Sequence, residues 1–240
     1  GIMRTSFLAF DCETTGFAET DDITCIVTKC VVSDTVTHTQ EWHGEFGKYI
    51  DVDTLQKCVD YMWQYYDEKK YAIISFNGVK FDFFVMARML KNYPVYVERI
   101  EILALGSEDI LLDFATEFGH FSSMASFAKG CKIKGKSNTG AWAAETWKEG
   151  TEPGCLTVID YCAADVQVLC DLVQYRANYK MLHRITKQQK STVWMSPSPT
   201  FRTAQKCITD YTANPVKCIW LPSPPNIPEM WEWIAKERIQ

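Results

Sequence analysis

Five side chains in three short stretches have types and spacings that suit phosphate chemistry. Asp11 and Glu13 sit one residue apart at the end of FLAFDCETTGF, residues 7–17. On a strand, residues i and i+2 point to the same face, so both carboxylates can aim at one point while Cys12 turns the other way. Asp82 closes the stretch NGVKFD, and Tyr161 and Asp165 are four residues apart in YCAAD, where a helix stacks them on one face. Four carboxylates drawn together would repel one another and lose solvation unless protons or cations neutralise them. Oxygen-only donors favour hard cations, Mg²⁺ first and Mn²⁺ as a substitute. A site with few protein ligands per ion leaves positions for water and phosphate oxygens, the two-metal arrangement for in-line attack on a phosphodiester.

Each stretch also has a plain structural reading. The first pair could be a solvated strand end. Asp82 could simply complement the dipole of a helix first turn, and Tyr161 and Asp165 could be boundary residues of an amphipathic helix. The stretches point to chemistry only if the fold brings them together, so the elements that carry them matter.

Thr5 to Asp11, Ile23 to Ser33 and Val36 to His43 read as strands of an opening antiparallel meander. Val52 to Lys69 reads as an amphipathic helix, Tyr71 to Phe76 as a short buried strand, and Phe81 to Lys91 as a helix stopped near Pro94. Val95 to Leu112 is ambiguous between strand and helix. Phe121 to Lys129 reads as a helix ended by Gly130. Lys134 to Gly154 looks like a loop with a helical turn near Ala141 to Trp147, and a long helix is expected from Thr157 to Lys187. Strands and helices alternate after a β-rich opening, so the fold class is α/β with a mixed sheet flanked by helices. In this layout Asp11 and Glu13 stand at the carboxyl end of a strand, where ligand crevices of open α/β sheets commonly lie.

Composition narrows the class. The 240 residues are 47% hydrophobic and 23% charged, which reads as globular rather than disordered. No apolar run approaches the roughly 18 residues needed to span a bilayer, so no membrane role is expected. Ten cysteines show no Cys-x-x-Cys spacing, and several lie inside apolar segments, which suits reduced core thiols of an intracellular protein. A net charge of −5 is not the footprint of a protein that coats duplex nucleic acid, but it allows an enzyme that grips a few nucleotides beside an acidic metal site.

The order FDCETTG, NGVKFD, YCAAD resembles the three motifs of the DEDD 3′–5′ exonuclease superfamily. A tyrosine four residues before the last aspartate is similar to the DEDDy branch; the histidine branch has His where this chain has Asp160. The Asn-x-x-x-Phe-Asp form and the motif spacing resemble the proofreading exonuclease domain of family B DNA polymerases. The likeness runs from about Thr5 to Val173, and Ser126-Phe127-Ala128-Lys129 is similar to a segment of RNase D-like members. The resemblance implies an RNase H-like fold and hydrolysis at the 3′ end of single-stranded nucleic acid, DNA favoured, releasing nucleoside 5′-monophosphates with two Mg²⁺. It implies that Asp11 bridges both ions, that Glu13 and Asp165 complete one and that Asp82 serves the other. It implies that Tyr161 orients the attacking water; a phenol that ionises near ~10 is a poor base at neutral pH. Thr14, Thr15, Phe17, Asn77 and Phe81 match positions that hold the terminal nucleotides. Lys129, with Lys132, Lys134 and Lys136, forms a local basic run that could track phosphates or be a solvated loop.

The texture changes after residue 190. Residues 1–190 are expected to form the exonuclease domain, and residues 191–240 a Pro- and Trp-rich extension that packs on it or docks a protein partner. Nothing in the extension resembles a polymerase palm or fingers, so the chain reads as a standalone exonuclease, an excised domain or a subunit. An RNase D-like exoribonuclease and a non-catalytic binding module of the same fold remain alternatives.

Overall fold

The computed structural model describes residues 6–16, 22–135 and 138–239. β1 (Ser6–Thr14), β2 (Ile23–Val32) and β3 (Thr35–His43) form the expected antiparallel meander. β4 (Ala72–Ser75) and β5 (Glu108–Asp109) add to it in parallel, giving one five-stranded mixed sheet of order β3-β2-β1-β4-β5. β1 is therefore central, and its period-two alternation separates two cores. Leu8, Phe10 and Cys12 join one apolar cluster with α1 (Val52–Trp63), α2 (Asp82–Met89) and α3 (Pro94–Gly106). Phe7 and Ala9 join the other with the long helix α7 (Glu152–Tyr179).

Helices that the sequence leaves open are settled by caps and contacts. The ambiguous stretch resolves into α3, the two residues of β5 and the start of α4 (Ile110–Phe118). Asp109 starts α4 by accepting from the N–H groups of Leu111 and Leu112, at 3.0 and 3.2 Å. α5 (Met124–Gly130) is shorter than expected and begins at its Ser123 cap. The expected loop contains a full helix, α6 (Gly140–Glu149), capped by Thr139 and stopped by Gly150 in a left-handed conformation, φ +76°. α1 ends sooner than expected, passing into a π-helical turn at Gln64–Glu68. α7 begins five residues before the expected start, at Glu152, and ends at Tyr179, well short of Lys187. Lys180 turns left-handed there (φ +55°), and the chain forms a hairpin of β6 (Met181–Ile185) and β7 (Ser191–Met195).

The residues beyond this hairpin pack against the helices and loops around the sheet. Arg176 of α7, 3% exposed, lies over the rings of Trp194 and Phe201 and donates to Ser196 Oγ at 2.6 Å. Arg202 donates from Nε to the buried Asp113 carboxylate at 2.7 Å. α8 (Ala204–Ala213) then packs on α4 and α3. Trp231 is buried, and Trp233 Nε1 donates to the Val79 carbonyl at 2.7 Å. Trp220 differs: it stays 68% exposed, edge-on to His120. No helix among the described residues is long and apolar enough to cross a membrane. All ten cysteines are buried, and none forms a disulfide.

Candidate active site

The crevice arises because β1 outruns its parallel neighbour. The last β1–β4 pair is Ala9 with Ile74, whereas β1 continues against β2 as far as Thr14. Beyond Ala9, the β4 side of β1 opens into a crevice of about 610 Å³. Asp11, Glu13, Asp82, Tyr161 and Asp165 all line it. Asp11 and Glu13 have the parity of Phe7 and Ala9, which sets them on the α7 side of the sheet. α7 brings Tyr161 and Asp165, both buried, to the same side. Cys162, between them, donates from Sγ to the Asp11 carbonyl at 3.3 Å, tying the helix to the strand.

Asp82 reaches the rim from the other layer. α2 packs through Phe83, Val85 and Met86 on the Leu8–Phe10 face, and Asp82 at its first turn sits beside Cys12 and Asp11. It is 4% exposed, and its Oδ2 has no hydrogen-bond partner among the described residues. Burial pushes its carboxyl up to about 7; the negative charge of Asp109 pushes the same way, and hydrogen bonds from Cys12 oppose both.

The loop between β4 and α2 is held by a residue that motif reading missed. Asp109, fully buried, accepts from Asn77 N at 2.7 Å and Val79 N at 3.1 Å while it caps α4. Burial raises its carboxyl to about 6 even though four backbone N–H groups pull the other way. The loop also needs its own residue types. Asn77 is left-handed at φ +65°, a conformation Asn tolerates. A side chain at Gly78 would place its Cβ 2.3 Å from Ser75 Oγ. Its signal in the sequence is an acid immediately before an apolar helix start.

Among the substrate-binding candidates, Thr14, Thr15, Asn77 and Phe81 line the crevice, and Asn77 Oδ1 has no partner among the described residues. Phe17 and Lys136 lie outside the described residues. Lys129 is not brought to the crevice: it is on α5, where its Nζ donates to Gln189 Oε1 of the β6–β7 turn at 2.8 Å. α6, read from sequence as mostly loop, supplies Gly140, Ala141, Ala144 and Glu145 to the rim. Its Trp142 meets the Tyr161 ring edge-on, with centroids 5.6 Å apart and planes at 72°.

One oxygen each of Asp11 and Glu13 lies within 4.8 Å of the other and of Cys162 Sγ. Cys162 is fully buried, already engaged with Asp11 O, and does not line the crevice. The donors facing the open space are therefore carboxylate oxygens. Together with the unpartnered Asp82 Oδ2, they fit a hard divalent cation better than a thiophilic one.

An RNase H-like α/β sheet with a carboxylate-lined rim is the class this fold and crevice define. Particular solved structures resemble this chain in fold. A family B DNA polymerase from the hyperthermophilic archaeon Pyrobaculum calidifontis aligns over 73% of this chain at TM-score 0.52 and 16% identity. Exonuclease I of E. coli, in complex with a dA16 oligonucleotide, aligns over 73% at TM-score 0.43 and 13% identity. Exonuclease I from Methylocaldum szegediense aligns over 74% at TM-score 0.41 and 10% identity. The chain spans 26% of the polymerase and 41% of each exonuclease I. No protein-family model and no curated protein sequence matches. The resemblance to family B polymerases drawn from three short motifs thus has its counterpart in the fold.

Proposed function

We propose that this protein is a divalent-cation-dependent 3′–5′ exonuclease that removes nucleoside 5′-monophosphates from single-stranded ends, DNA in preference to RNA. The observation that carries this reading is the convergence of Asp11, Glu13, Asp82 and Asp165 with Tyr161 in one crevice, from three separate stretches and both layers of the fold. A structural role explains none of the four together, since close carboxylates cost stability. The preference for DNA is supported by the form of the second motif and by the likeness of fold to a DNA polymerase. Ten buried thiols without a disulfide suit a reducing, intracellular compartment.

Asp11 would hold both of two cations, Glu13 and Asp165 one of them, and Asp82 the other. Bound Mg²⁺ or Mn²⁺ supplies counter-charge for the carboxylates, a lowered water pKa and stabilisation of charge on the phosphate during in-line attack. The chain's own residues place the reactants. Tyr161 aligns the water, and Trp142 holds the Tyr161 ring through its edge contact. Thr14, Thr15, Asn77 Oδ1 and Phe81 border the space for the terminal nucleotide.

A 5′-labelled single-stranded oligonucleotide with Mg²⁺ is expected to give a ladder that shortens from the 3′ end, stops in EDTA and resumes with Mn²⁺. A 3′-labelled substrate is expected to release labelled mononucleotide first. The absence of a ladder with either metal, internal cuts, or activity that persists in EDTA overturns the reading. Trp142 is expected to act as a positioning residue. Trp142→Ala lowers kcat by about 10-fold with little change in KM, because a slightly misplaced reactant already costs that much. Trp142→Phe, which keeps an aromatic edge, restores most of it; a change confined to KM argues against the role.

A further inference from the structure

We infer that the crevice is the terminal part of a longer single-stranded nucleic-acid track, and that a second groove opening from it, bordered by Lys48, Tyr49, Lys91 and Lys148, carries the nucleotides that precede the 3′ end. The inference rests on the exonuclease reading above and extends it to how the substrate is held.

The second groove, of about 1140 Å³, shares Thr15, Ala144 and Glu145 with the carboxylate crevice. It exceeds the roughly 300–1,000 Å³ usual for small-molecule sites and adjoins the crevice at these three residues, an extent suited to a chain rather than a monomer. Its wall is rigid. Trp147, 2% exposed, donates from Nε1 to the Lys48 carbonyl at 2.7 Å, and Ile50 N donates to Ile23 O at 2.9 Å. Gly47, at φ +84°, lets the backbone pass so close to α6 that a Cβ there would meet Gly150 Cα at 2.9 Å. The loop welded in this way presents the Lys48 side chain and Tyr49, 56% exposed, to the groove.

Charge distinguishes this groove from the rest of an acidic chain. Two of the three acids among its described lining residues are committed: Asp22 pairs with Arg88 at 3.0 Å, and Asp51 caps α1 by accepting from Thr54 N at 3.0 Å. Glu145 stands at the junction with the crevice. Lys48, Lys91 and Lys148 are exposed, and none is ion-paired among the described residues. Ammonium groups beside an exposed aromatic ring are the combination that holds single strands without reading sequence: phosphates meet the cations and a base stacks on the ring.

The test is binding of labelled oligo-dT from about two to about twelve nucleotides, a range that covers typical single-strand site sizes. It is read by anisotropy with the full chain in EDTA across a salt series. The wild type is expected to bind more tightly as the strand lengthens. Lys48→Gln/Lys91→Gln/Lys148→Gln flattens that length dependence and makes the log Kd–log salt slope shallower by about 2, at about 0.7 per lost phosphate contact. Tyr49→Ala weakens the longer strands by about tenfold. A control triple at exposed lysines elsewhere, Lys187→Gln/Lys206→Gln/Lys236→Gln, leaves both readouts unchanged. The inference is overturned if the groove triple behaves as wild type, if the control triple does equal harm, or if the wild type shows no binding. Binding in EDTA does not need turnover. A groove effect without a 3′-end ladder therefore sinks only the exonuclease reading, and a ladder without a groove effect sinks only this one.

Discussion

Asp82→Asn is expected to slow hydrolysis by roughly 10²- to 10³-fold and, in the same protein, to raise the stability of the metal-free form at pH 8. The rate falls because one carboxylate donor is lost where a metal contributes several kcal/mol of charge stabilisation, and each ~1.4 kcal/mol is a factor of ten. Stability rises for the opposite reason. Asp82 is buried, and its carboxyl is pushed from the usual carboxylate range to about 7. A folded-state pKa above the unfolded value means that the native state prefers the proton. The stability this group contributes is fully present below about pH 4 and is lost as pH rises through about 7. The asparagine carries no charge to desolvate, so the variant should melt a few degrees higher at pH 8, where about 1 kcal/mol is worth ~2–4 °C in a chain of this size. The gain should vanish near pH 4 and shrink when Mg²⁺ is added, because the metal stabilises only the wild type through this carboxylate. Thermal melts at the two pH values, with and without Mg²⁺, together with single-turnover rates, check both halves. An Asp82→Asn protein that melts lower at pH 8 contradicts the strained-carboxylate account. Asp11→Ala with Asp165→Ala should remove the ladder altogether.

Asp109→Ala is expected to cost about 2–4 kcal/mol of stability and most of the activity, although Asp109 does not line the crevice. Its two oxygens serve four backbone N–H groups, two in the β4–α2 loop and two at the start of α4. Alanine relieves the burial of a carboxylate but orphans donors worth about 1–3 kcal/mol each and removes a helix cap, so the loss outweighs the relief. The loop it releases carries Asn77 and leads into Asp82, so KM and kcat should both suffer. Asp109→Asn separates the two roles. It can keep the Oδ1 acceptor for Asn77, Leu111 and Leu112, but it sets an amide N–H against that of Val79. Its stability should fall between alanine and wild type, as denaturant midpoints would show. Equal stability of all three would mean that the loop is held by something else.

Two pairs of crevice residues were legible because their information is local. Two acids at i and i+2 on a strand, and a tyrosine and an aspartate at i and i+4 on a helix, face one way by backbone geometry alone, whatever the rest of the chain does. The meander was legible for the same reason, since β-branched alternation is written residue by residue. The end of α7 was not, because Met181–Ile185 can continue a helix by propensity and is a strand only through its hairpin with β7. Asp109 went unread because its work lies in hydrogen bonds to residues about thirty positions away, across a two-residue strand that pairs in parallel with β4. The basic run at Lys129 and its neighbours reads equally as a phosphate contact or a solvated loop, and Lys129 reaches the β6–β7 turn. The cations of the neighbouring groove, Lys48, Lys91 and Lys148, are scattered through the sequence and line one space only when the 44–51 loop, the turn after α2 and α6 assemble. The sequence by itself determined that Asp11 and Glu13 share one face of a strand and that Tyr161 and Asp165 share one face of a helix. Tertiary structure alone decided that these two pairs meet each other and Asp82, which loops are pinned beside them and which charges border the neighbouring groove, because those depend on long-range packing that no local spacing encodes.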